Sequence, residues 1–236
     1  MHPEIRALTF DVFGTVVDWR GSVLRQLRRL GEEKSIETDW ESFVDSWRYD
    51  GYMGGMRRVF DGELPFQTAD SLHRLQLDKL LAERGIALSE DETDHLNRAW
   101  HRLDPWPDSV GGLQRLRSRF VVSTLSNGNI SLLADMAKHA GLPWDCLLAA
   151  DVTGAFKPQP ECYQRAAEIL DCEPAEVMMV AAHKGDLKAA AAVGFRTAFI
   201  PRPDEAGPSR DVDLSPDPSF DYVASDFHAL AAQLAC

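Results

Sequence analysis

Cysteine is scarce and unpatterned. The four residues, Cys146, Cys162, Cys172 and Cys236, form no CxxC and no metal-ligand spacing. A chain of 236 residues is long enough to bury a core without covalent staples. A disulfide framework is therefore not expected, and reduced thiols in a cytoplasmic protein are. Long apolar runs are also missing, since none approaches the roughly 20 residues that cross a bilayer. The opening Met1-His2-Pro3-Glu4-Ile5-Arg6 lacks the charged-then-apolar layout of a signal peptide. Positive charge is in deficit, with 25 Lys and Arg against 37 Asp and Glu, a net charge of -12. An acidic surface repels nucleic acid and anionic membranes, so neither is an expected partner. An anionic substrate would need local positive charge. Internal repeats and low-complexity segments are absent as well.

What is present is a packed-core composition, 44% hydrophobic and 26% charged. Ile5 to Phe10 reads as a buried strand ending in Asp11-Val12-Phe13-Gly14-Thr15. From about Trp19 to Trp100 the chain looks helical throughout, with apolar positions at helical spacing such as Leu72, Leu75, Leu77, Leu80 and Leu81. Ser89, with Glu92 three residues on, resembles a helix start. Pro105-Trp106-Pro107-Asp108 breaks the helical block. Strands and helices then alternate. Strands are expected at Phe120–Thr124, Leu147–Ala150, Val177–Ala181 and Thr197–Ile200. Helices are expected at Ile130–His139, Glu161–Leu170 and Asp186–Val193. Pro201 to Pro218 reads as a surface loop. Alternation predicts a parallel sheet covered on both faces. The layout predicts an α/β core built from residues 1–15 plus 104–236, with a helical cap inserted at 16–103.

Ligands of open α/β sheets bind beyond the carboxyl ends of the strands. The polar residues at those ends are Asp11 and Thr15, Ser126 and Asn127, Lys157, then His183 and Asp186. Each has a plainer reading. Asp11 and Asp186 could cap loops or helices, Ser126-Asn127-Gly128 could be a turn, Lys157 could be solvated, and His183 could lie on the surface. Their joint occurrence in this order favours a site.

That ordered set resembles the haloacid dehalogenase superfamily, with DxxxT at Asp11 and Thr15, then Ser126, Lys157 and Asp186. The resemblance covers essentially the whole chain and implies a Rossmann-like core. Phosphatases of the superfamily usually carry a second aspartate two residues after the nucleophile, where Phe13 stands. Phe13 cannot transfer a proton. No second carboxylate follows Asp186 for Mg²⁺. The chain instead resembles the 2-haloacid dehalogenase branch acting on L-2-haloacids. Further matches are Trp47-Arg48, Lys157-Pro158 with Tyr163, and Arg102 to Asp108.

The resemblance implies hydrolysis of short L-2-haloacids to D-2-hydroxy acids through an ester of Asp11, with no metal and no other cofactor. Asp11, Lys157, Asp186, Thr15 and His183 would be catalytic. Arg48, Ser126, Asn127, Phe13 and Phe66 would bind substrate or halide. A homodimer is the oligomer such a family allows. A phosphatase with an atypical metal site and a non-catalytic small-acid-binding protein remain the rivals. The last motif departs from the family, because His183 stands where asparagine is usual and Gly185 where tryptophan is. The expectation at Gly185 is an open pocket, unless Phe60 or Phe66 moves in to fill it.

Overall fold

The computed structural model describes residues 4–207, 210 and 212–236. The first three residues, and residues 208, 209 and 211 of the predicted surface loop, lie outside the described residues. The first strand, β1 (Ala7–Phe10), is buried along its whole length. That agrees with a continuous apolar run flanked by strands on both sides. A tight turn at Gly14 leads to β2 (Val17–Asp18) and α1 (Trp19–Lys34), where Asp18 accepts a hydrogen bond from Gly21 N. α2 (Trp40–Ser46) runs into a π-helical turn at Trp47–Met53, then α3 (Gly54–Phe60). α4 (Ala69–Glu83) and α5 (Glu90–Asn97) follow. Ser89 and Glu92 form the expected reciprocal capping box of α5.

The predicted unbroken helical run is thus divided. Leu64-Pro65-Phe66-Gln67 is non-helical, and the Arg84–Gly85 turn separates α4 from α5. Helical periodicity survived in the sequence because each segment keeps its own apolar stripe. The block ends in a 3₁₀ turn, Arg98–His101, and returns through β3 (Asp104–Pro105). β3 pairs antiparallel with β2, Val17 opposite Pro105, so departure and return share one narrow two-stranded neck.

The remainder alternates: α6 (Ser109–Arg117), β4 (Val121–Ser126), α7 (Ile130–Ala140), β5 (Cys146–Ala149), α8 (Ala150–Thr153), α9 (Pro160–Ile169), β6 (Val177–Ala181), α10 (Lys184–Ala192), β7 (Arg196–Phe199), β8 (Tyr222–Val223) and α11 (Phe227–Gln233). α6, α8, β8 and α11 were not anticipated, and Ala150, expected to end a strand, opens α8. The main sheet has six parallel strands in the order β5-β4-β1-β6-β7-β8. β1 is central, and the chain visits β4 on one side before β6 on the other. That topological switch opens a crevice at the carboxyl end of β1.

One apolar cluster includes Leu8 and Phe10 of the sheet and continues through Phe13, Trp19 and Trp100 to Trp47 and Leu77 of the helical block. A second cluster, with Leu125, Tyr163, Met179 and Phe199, involves the sheet and helices α9 and α10. Among the described residues no helix is long and apolar enough to cross a membrane.

Candidate active site

Asp11 leaves the end of β1 with only 8% of its surface exposed. Its Oδ1 accepts a hydrogen bond from Lys157 Nζ at 2.9 Å, and its Oδ2 accepts one from Thr15 Oγ1 at 2.7 Å. Thr15 Oγ1 in turn accepts from Ala182 N at 2.9 Å, which ties the first loop to the end of β6. His183 Nδ1 lies 2.9 Å from the same Oδ2, and its Nε2 lies 2.9 and 3.0 Å from the two oxygens of Glu205. Both ring nitrogens face carboxylate oxygens, an arrangement that favours the imidazolium, which donates from both.

Burial alone would raise the Asp11 carboxyl. The charges and hydrogen bonds of Lys157 and His183 outweigh it and hold the carboxyl well below the usual range. Burial lowers His183, but Asp11 and Glu205 push it up to about 10.

Lys157 precedes α9 and is buried. It bridges Asp11 to Asp186, whose Oδ2 is 2.5 Å away. The Asp186 Oδ1 accepts from Tyr163 O–H at 2.5 Å. Burial and the nearby Asp11 charge raise the Asp186 carboxyl despite Lys157. The helix-cap reading of Asp186 is excluded, because His183 occupies the N-cap position of α10 and the Asp186 side chain is taken up by Lys157 and Tyr163. Ser126-Asn127-Gly128 does make a turn, but not only that. Asn127 Oδ1 accepts from Lys157 N at 2.7 Å and its Nδ2 donates to Lys157 O at 2.9 Å, so the amide clamps the lysine's main chain. Ser126 lines the cavity while its Oγ accepts from Gly128 N.

Arg48 lies on the π-helical turn, 8% exposed. Its guanidinium carbon sits 5.3 Å from the ring centre of Phe13, 5.2 Å from Trp19 and 5.0 Å from Tyr52. Its Nη1 is buried without a hydrogen-bond partner, and no acidic side chain pairs with it among the described residues. A buried cation without a counter-charge is costly, and an anion bound beside it would supply one. Arg48 and Asp11 line one cavity of about 640 Å³.

Phe66 is a correction. Although expected to bind substrate, it does not line this cavity and is 45% exposed. It stacks on Phe156 at 5.0 Å, and Phe60 meets the same ring edge-on at 5.7 Å. The apolar face of Phe156 is the nearer partner and takes both rings away from the cavity. Neither therefore fills the space beside Gly185, where an added Cβ would meet nothing within 4 Å.

Sequence reasoning missed Glu205. It lies in the stretch read as a surface loop, yet Glu205 and Arg202 are both buried. Arg202 pairs with Asp108 through two hydrogen bonds, 2.7 and 2.9 Å, and donates to Thr15 O at 2.9 Å. Glu205 accepts from Trp19 Nε1 at 3.2 Å. Gly14 permits this approach, since its φ is +89° and a Cβ there would sit 2.0 Å from Glu205 Oε1. The signal that could have found Glu205 was the strand-end rule, extended to the residues after β7.

Among the described residues there is no cluster of three or more His, Cys, Asp or Glu side chains placed to ligate a metal ion. The Lys157 ammonium lies between Asp11 and Asp186, within hydrogen-bond reach of each.

Residues 5–194 match the family model described as haloacid dehalogenase-like hydrolase. (S)-2-haloacid dehalogenase 1 of Pseudomonas sp. (strain CBS-3) is 30% identical over 201 residues, 84% of this chain and 85% of that protein. The crystal structure of the defluorinating L-2-haloacid dehalogenase Rha0230 superposes with a TM-score of 0.94 at 46% identity, covering 98% of this chain and 96% of that one. The L-2-haloacid dehalogenase of Xanthobacter autotrophicus, with chloropropionic acid covalently bound, gives 0.80 at 25% identity and 98% of each chain.

Proposed function

Since the chain belongs to the haloacid dehalogenase-like hydrolases, we propose that it hydrolyses short L-2-haloacids to D-2-hydroxy acids, with Asp11 as the nucleophile. The observation that carries the reading is the pairing of an ionised Asp11 with an unpartnered Arg48 in one cavity. The similarity to proteins described as L-2-haloacid dehalogenases supports it.

In the first step an Asp11 oxygen attacks C2 in line with the carbon–halogen bond, which breaks and releases halide. A halide leaves without a proton, so Phe13 in place of an acid is no obstacle. Arg48 meets the departing halide or the substrate carboxylate. Lys157 and Thr15 keep Asp11 ionised and aimed. In the second step water attacks the ester carbonyl. Asp186, with its carboxyl raised by burial, takes the proton. Scission of the bond between the carbonyl carbon and the alkyl oxygen releases the 2-hydroxy acid. C2 inverts once. On this reading residues 16–103 act as the cap over a core of 1–15 plus 104–236, and no metal takes part. The four unpaired cysteines fit a cytoplasmic location.

Chloride release from L-2-chloropropionate tests the reading, with and without dialysis against EDTA. Release that survives chelation and disappears in Asp11→Asn is expected. Phosphate ester turnover restored by Mg²⁺, with no chloride released, contradicts it.

A further inference from the structure

The two oxygens of Asp11 are not equivalent. Oδ2 is filled by two donors, Thr15 O–H and the His183 Nδ1–H, whereas among the described residues Oδ1 accepts only from Lys157. Oδ1 therefore keeps a free lone pair and is the oxygen able to attack. Once it is alkylated, Oδ2 becomes the ester carbonyl oxygen, still facing the same two donors.

We propose that Thr15 and the His183 imidazolium form the oxyanion site for hydrolysis of the aspartyl ester, and that Glu205 is the positioning residue that keeps His183 cationic and turned toward Oδ2. The proposal rests on the reading of Asp11 as nucleophile. In this step the water oxygen bonds to the Asp11 carbonyl carbon, a water proton passes to Asp186, and the carbonyl electron pair moves onto Oδ2. Collapse restores that carbonyl and breaks the bond to Oδ1. Oδ1 leaves with the product and takes the proton back from Asp186. The regenerated Asp11 acid then loses its proton to solvent. The donors are in place before charge develops on Oδ2, so no reorganisation is needed.

Glu205 fits the positioning role through its geometry. Both its oxygens face Nε2, it is buried, and Trp19 Nε1 fixes it from the helical block. Other charges near His183 are Lys184 and Asp186 on its own helix and Lys157 beyond Asp11, with Arg48, Arg210 and Asp213 elsewhere on the cavity wall. Lys184 is itself paired with Asp213. Among the described residues, Glu205 therefore remains the one carboxylate in contact with the ring after Asp11 is neutralised as an ester.

The test is rapid-quench kinetics of the wild type and Glu205→Gln with L-2-chloropropionate, reading chloride and the mass of the intact protein. In Glu205→Gln one equivalent of chloride should appear at close to the wild-type rate, followed by accumulation of the ester adduct. Full removal of an oxyanion donor costs about 10²–10³ in rate, so a weakened one should slow ester hydrolysis about tenfold or more. The pH profile separates this from a packing defect. Ester hydrolysis needs the imidazolium and should fall as His183 deprotonates. Loss of an adjacent opposite charge should move that descending limb down by about 1–3 pH units. His183→Asn, which keeps an N–H but not the charge, should also accumulate ester, and its rate of ester hydrolysis should show no descending limb at alkaline pH. It serves the same purpose if Glu205→Gln does not fold. Equal loss of both steps without ester, or unchanged hydrolysis in a folded variant, overturns the proposal. A wild type that releases chloride but never forms the ester instead overturns the reading of Asp11.

Discussion

Arg48 sits among Phe13, Trp19 and Tyr52 with no carboxylate paired to it among the described residues. Such a residue trades stability for binding. Arg48→Met should keep much of the apolar packing and remove the uncompensated charge. We expect it to fold with stability unchanged or raised by up to about 2 kcal/mol. Its kcat/KM should fall about 10–100-fold, the loss of one charged hydrogen bond to an anion. A melting curve and a halide assay on the same sample check both halves, and a clear drop in melting temperature would count against Arg48 as an anion site.

His183 carries the opposite signature. Its folded-state value is raised to about 10, so its contribution to stability is fully present below its unfolded value near 6.5. That contribution is lost as pH rises from there toward 10. Its side chain is 41% exposed, which screens the effect. The wild type should therefore lose more thermal stability between pH 7 and 10 than His183→Asn does. Parallel curves for the two proteins would show that the flanking carboxylates do not charge the ring.

Asp11, Lys157 and Asp186 were legible in the sequence because strand ends fix where side chains converge, whatever the loops do. Glu205 was not, since its place depends on how the segment after β7 folds back over Gly14. Asn127 was found as a cavity residue, and it does line the cavity, but the hold of its amide on the Lys157 main chain was not foreseen. Phe66 was misplaced because helical periodicity says nothing about the non-helical stretch that carries it.

At the scale of elements, the π-helical turn at Trp47–Met53 is the feature the periodicity could not reveal. It sets Trp47 and Arg48, adjacent in sequence, both inside. Such turns often mark functional positions. It also lies close to α4, where a Cβ on Gly51 would fall 2.4 Å from Gln76 Cβ. Gly51→Val should force the two elements apart, costing about 1–3 kcal/mol as overpacking does. KM should rise as well, since Arg48 shifts with the turn. Denaturant melts and steady-state kinetics give the answer, and an unchanged KM with lowered stability would detach the turn from binding.

Across the whole molecule, the helical block and the sheet share an apolar cluster through Phe13, Trp19 and Trp100, although a narrow two-stranded neck carries the chain between them. A shared core makes unfolding cooperative. Trp19, Trp40, Trp47 and Trp100 lie in the block, so tryptophan fluorescence reports mainly on it, while far-UV circular dichroism reports on all elements. The two urea transitions should coincide, and fluorescence loss at lower urea would reveal a block that unfolds alone. The parallel sheet and helical insertion were legible because alternation and the Pro105-Trp106-Pro107 break are local signals. The two short neck strands were not, being too brief to show a period.

The central claim, covalent catalysis by Asp11, is tested most directly by a single turnover in ¹⁸O-water with enzyme in excess over L-2-chloropropionate. The product should contain no label, because its new oxygen comes from Oδ1, and one ¹⁸O should appear in the peptide that contains Asp11. Label in the product and none in that peptide would mean that water displaces halide directly, and Asp11 would not be a nucleophile.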